Sequence, residues 1–164
     1  MKPFYKTVLA VYLFTLLWVV LFKLSGDVFA VLANYQTRSL NLVPFTGFSP
    51  GNAPDVLYNF IVFIPFGLLL SVNFKQASFR RKLAAIVFVS AAVEVAQYVF
   101  AIGTSDITDV ITNTAGGLLG LGMYALANRY ISTTILNRFI AIISLVLLAA
   151  FLLLRLLVFH IRYQ

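Results

Sequence analysis

The sequence predicts an all-α, polytopic membrane protein: a transmembrane bundle of five spans in a single membrane domain, 1–164. Three observations carry this. The chain of 164 residues is 62% hydrophobic and only 10% charged, whereas a soluble domain is nearer half apolar and a quarter charged. The apolar residues gather in five runs, each close to the ~20 residues that cross a hydrocarbon core. The acidic residues sit at the ends of those runs or between them, Glu94 alone excepted.

The first span covers about 7–24, behind a short basic N-terminus with Lys2 and Lys6. A cleaved signal peptide is the rival reading, and Val31-Leu32-Ala33 resembles a cleavage site. The run exceeds a typical 7–15-residue signal core, so a retained helix is expected. Residues 25–55 form the longest connection. Asp27 is a plausible N-cap for a short interfacial helix through about Tyr35. Pro44 restricts Val43 to extended geometry, and Gly47, Pro50, Gly51 and Pro54 keep the rest irregular. Irregular backbone is not tolerated against lipid tails, so this loop is expected at the interface or dipping into the bundle.

The second span, about 56–74, carries Asn59, a kink-forming Pro65 and Gly67. A basic loop follows, with Lys75, Arg80, Arg81 and Lys82. The third span, about 83–103, holds Glu94 and Gln97. The fourth, about 107–127, holds Gly116, Gly117, Gly120 and Gly122. Gly116 and Gly120 make a small-xxx-small pair that lets helices approach closely, and close packing is its expected role. Arg129 and Arg138 flank the next loop. The fifth span, about 139–159, is almost wholly aliphatic and reads as a lipid-facing scaffold. Arg155 would snorkel to the surface, and His160 would be interfacial.

The loops set the topology. Lys2, Lys6, Lys75, Arg80, Arg81, Lys82, Arg129 and Arg138 all fall on one side, which the positive-inside rule makes cytoplasmic. The N-terminus is then cytoplasmic and the C-terminus outside. The net charge of +7 is accounted for by these flanks rather than by nucleic acid. The absence of cysteine and the single histidine exclude disulfides, thiol chemistry and multi-histidine zinc sites.

Two stretches joined by a short link carry the chemistry. Glu94 and Gln97 share one helical face, and Asp106, Asp109 and Asn113 share another. An ionised side chain so deep in hydrocarbon costs roughly 2.5 kcal/mol or more, so something must offset Glu94. The expectation is an outward-facing cleft with Glu94 at its floor, about 13 Å below the outer end of its span. Asp106, Asp109 and Asn113 form the rim, Asn59 and Gln97 orient the ligand, and the 40–45 stretch is a lid.

At these residues the chain resembles a known family. Asn41-Leu42-Val43-Pro44-Phe45, Asn59-x-x-x-Phe63-x-Pro65-Phe66-Gly67, Glu94-x-x-Gln97 and Asp106-x-x-Asp109-x-x-x-Asn113-x-x-Gly116-x-x-x-Gly120 are similar, in order and spacing, to the VanZ-like membrane proteins. The match covers about 40–124. It implies a multi-pass protein of the bacterial plasma membrane linked to the cell envelope. The family's named member is associated with resistance to the glycopeptide teicoplanin, which the resemblance does not by itself extend to this chain. The resemblance also adds Asn41 and Pro44 to the ligand-binding set. The family supplies no mechanism.

Four functions compete. The first is a module that binds or modifies an envelope component, with membrane lipids, a lipid-linked precursor or a glycopeptide as partners and no nucleic acid. The second is an enzyme acting on an envelope lipid or glycan, with Glu94, Asp106 and Asp109 catalytic. A carboxyl group in a partly apolar site suits general acid–base work, and an all-oxygen set suits a divalent cation such as Mg²⁺ or Ca²⁺, although the sequence does not require one. The third is a purely structural polar network. The fourth is transport, which the lack of an internal repeat disfavours.

Overall fold

A computed structural model describes residues 3–21, 38–46, 53–102 and 104–162, with the backbone alone for 154–162. The interfacial helix expected at 27–35 and the side chains of Arg155 and His160 lie outside the described residues. In chain order the elements are α1 (Pro3–Leu21), β1 (Ser39–Asn41), α2 (Ala53–Asn73), α3 (Phe79–Phe100), β2 (Thr104–Asp106), α4 (Ile107–Ala127) and α5 (Thr133–Arg162). Among the described residues five helices are long and apolar enough to cross a membrane.

Most helices begin a few residues before their apolar runs, because local chemistry sets their ends. Pro54, expected to keep the loop irregular, falls in the first turn of α2, where its missing N–H costs nothing. Ser78 caps α3 by accepting from the Arg81 N–H, so the basic residues after it join the helix. At its other end α3 stops at Ala101, whose left-handed φ of 51° lets its N–H turn back to the Gln97 and Tyr98 carbonyls. That stop was expected at Gly103. A left-handed cap usually falls to glycine, so nothing in the sequence marks Ala101.

α2 is the most buried of the five helices and forms the centre of the bundle. Its partner is α4, and glycine permits their contact. A Cβ on Gly116 would strike the Phe60 carbonyl, one on Gly120 the Ile64 carbonyl, and one on Gly67 the Gly117 carbonyl. The backbones therefore touch, and the small-xxx-small pair has the packing role expected of it. On the neighbouring face of α4, Gly117 receives Ile86 of α3. Phe63, Phe66, Leu70, Ile86, Val93 and Leu121 fill the core around this contact.

Pro65 lies inside α2. In the turn before it, the Val62 carbonyl accepts a hydrogen bond from the Tyr12 hydroxyl at 2.7 Å. That bond joins α1 to α2 one residue beyond Ile61, the residue whose carbonyl the missing Pro65 N–H would have met.

Charge is segregated along the bundle. Asn73, last in α2, donates to the Tyr5 carbonyl in the first turn of α1 (3.1 Å). Tyr124, late in α4, donates to Asn137 near the start of α5 (2.9 Å). Val8, Val72, Tyr124 and Leu136 pack in one cluster. Lys6, Lys75, Arg129 and Arg138 thus stand at one end. Glu94, Asp106 and Asp109 stand at the other.

Candidate functional site

The site begins with α4. Asp106 is its N-cap, and the Asp106 Oδ1 atom accepts from the Thr108 N–H at 2.7 Å. The N–H of Asp106 itself donates to Glu94 Oε2 at 2.8 Å. A helix N-terminus carries about half a positive charge, so Glu94 gains both a backbone donor and a favourable field. These two terms offset the cost of a carboxylate only 5% exposed. Asp109 adds a third carboxyl group in the same first turn and is buried.

The loop before α2 closes over this terminus. β1 and β2 pair in parallel, with Ser39 opposite Thr104, Leu40 opposite Ser105 and Asn41 opposite Asp106. Asn41 Nδ2 donates to Asp106 Oδ2 at 2.9 Å, and Asn41 Oδ1 accepts from the Val43 N–H at 3.1 Å. Pro44 lies in the turn that follows. Next to it Phe45, with a positive φ of 56°, donates its N–H to Thr108 Oγ1 at 3.0 Å. Arg38 reaches the Val99 carbonyl in the last turn of α3 (3.5 Å). The segment expected to be irregular is in part a short strand. Pairing satisfies backbone groups that an apolar stretch beside the membrane would otherwise leave bare.

Not every expected residue joins this cluster. Gln97 faces away from it. Its amide donates to the Val20 carbonyl at 3.1 Å, one of the last carbonyls of α1, which lack partners within their own helix. Asn113 lies deeper in the α3–α4 seam and donates to Ser90 Oγ at 3.0 Å. Asn59 is buried in the first half of α2. Glu94, Asp106, Asp109 and Asn41 therefore gather at the end of α4, whereas Gln97 and Asn113 tie helices together. Among the described residues no three His, Asp or Glu side chains group as a metal ion would require. The set of Glu94, Asp106 and Asp109 does not supply that cluster.

Sequence reasoning missed Thr108 at this cluster and Ser90 in the seam beneath it. Ser90 lies one turn before Glu94 on the same face, and that spacing was the available signal. Nothing in the sequence links Thr108 to Phe45, because the contact depends on how the loop folds back.

Comparison with known proteins places the chain in a family. The VanZ/LLP1 family model matches residues 9–128. The chain belongs to the VanZ/LLP1 family. A VanZ protein of Enterococcus faecium is 49% identical over 150 residues, covering 92% of this chain and 91% of that protein. No solved structure matches. The match to the VanZ/LLP1 model begins within α1, well before the 40–124 stretch whose motifs are legible by eye. That is physically sensible, since α1 supplies Val20 to Gln97 and Tyr12 to the turn before Pro65.

Proposed function

We propose that the acidic end of the bundle faces away from the cytoplasm at the bacterial plasma membrane. There it binds a cationic or donor-rich group of a cell-envelope component, and through that binding contributes to teicoplanin resistance. The observation that supports this is the use of the α4 N-terminus. Such a terminus ordinarily attracts anions. Here two of its N–H groups are taken by the chain's own carboxylates, Glu94 and Asp106. With Asp109 beside them, the terminus presents excess negative charge, which suits an amine or a set of hydroxyl donors. The basic loops at the opposite end support the orientation.

The test is thermal unfolding of the detergent-purified protein, titrated with teicoplanin and separately with amine-bearing envelope lipid. The expected result is a saturable rise in Tm that disappears in Asp109→Asn and Glu94→Gln but survives in Gln76→Ala on the basic loop. No rise with either ligand, or an equal rise in all variants, would overturn the reading.

A further inference from the structure

We propose that a groove at the basic end, between α2, α4 and α5, holds an acyl chain of an anionic glycerophospholipid whose head group is engaged by Arg129 and Arg138. The groove has a volume of about 430 Å³ and is lined by Leu68, Met123, Tyr124, Leu136, Ile140 and Leu147 among other residues. Its hydrogen-bonding side chains are Tyr124 and Ser144. Tyr124 is committed to Asn137 and Ser144 is buried, so the exposed wall is mainly apolar.

Its depth fits one leaflet. From Leu136 to Leu147 helix α5 rises about 16 Å, close to half of a hydrocarbon core about 30 Å thick. A second hollow of about 310 Å³ lies against Thr134, Ile135, Arg138, Phe139 and Ile142. Phe139 lines both hollows, so two chains can flank one ring while Arg138 meets the head group between them. Arg129 follows the α4 cap residue Asn128 and is exposed at the same end. Two cations above two apolar hollows match an anionic head with two tails. A zwitterionic head would gain little from them, and a helix of a second copy would leave the arginines unmatched.

Native mass spectrometry tests this on the whole protein in neutral detergent, with phosphatidylglycerol and phosphatidylcholine supplied in equal amounts. The wild type is expected to retain mainly phosphatidylglycerol. In the double variant Arg129→Gln with Arg138→Gln that preference should fall by roughly thirtyfold, at about 1 kcal/mol per cation near an anionic surface. The control Lys75→Gln with Arg80→Gln removes two charges from the same end but outside both hollows, and should keep the preference. Ile143→Trp, which fills the larger groove, should lower retention of both lipids. Parity in the wild type, an equal loss in the control, or dimers in place of lipid adducts would overturn the proposal. Should the tryptophan variant fail to fold, the two double variants decide the matter alone.

Discussion

The Asp106 backbone N–H meets the Glu94 carboxylate at 2.8 Å, and one turn deeper in the same seam Asn113 meets Ser90 at 3.0 Å. One turn further in, Ile86 lies against Gly117. The α3–α4 seam thus passes from charged to polar to apolar in three rungs, each four residues apart on α3. Its outermost rung carries the candidate chemistry.

Removing Glu94 should expose what that rung contributes. In Glu94→Ala the part-buried Asp106 N–H loses its acceptor, at a cost of about 1 kcal/mol, toward the low end of the range for a buried unpaired donor. Glu94→Gln keeps an acceptor oxygen and should lose clearly less. Thermal unfolding of both variants beside the wild type checks the order. Equal losses would show that the bond to Asp106 matters little.

Asp106 has two separable duties. Asp106→Asn keeps a good N-cap but sets an amide against the Asn41 amide, so loop 38–46 should loosen while α4 stays intact. Asp106→Ala should lose both, with about 0.5–2 kcal/mol from the cap. Hydrogen exchange reads the two regions independently. Asn41→Ala combined with Asp106→Ala should be less than additive, because each removes the same bond.

Glycine contacts should outweigh polar ones in this bundle. Gly116→Ala or Gly120→Ala drives a methyl group into a backbone carbonyl of α2, and overpacking of this kind costs typically about 1–3 kcal/mol. Gly122→Ala meets nothing within 4 Å and should be neutral or slightly stabilising, since glycine is a poor helix former. Gln97→Leu and Tyr12→Phe each remove one interhelical hydrogen bond, worth about 0.6 kcal/mol on average inside membranes. A single series of unfolding midpoints ranks all five. Gly122→Ala as damaging as Gly116→Ala would contradict the packing account.

Sidedness can be read directly, because the chain has no cysteine of its own. A membrane-impermeant maleimide applied to intact cells should label Thr104→Cys, at the acidic end, and spare Lys75→Cys, at the basic end. Permeabilised cells should show both. The reverse pattern would invert the orientation and with it the proposed access of an envelope ligand.

The sequence by itself determined the class of protein, its five spans, the close approach around Gly116 and Gly120, and the separation of basic from acidic ends. All four follow from composition and helical spacing, which act over a few residues. It also marked Glu94, Asp106 and Asp109 as the residues to watch, because charge near hydrocarbon demands a reason. Only the tertiary structure decided what stands next to what. It turned Gln97 onto the end of α1 and Asn113 onto Ser90, although both share helical faces with the acids. A helical face spans a wide arc, and which part of it meets which neighbour depends on how the helices rotate against one another. The same holds for the pairing of β1 with β2 and for Asn41 over Asp106: those partners lie some sixty-five residues apart, and no local pattern records a contact made only when the bundle closes.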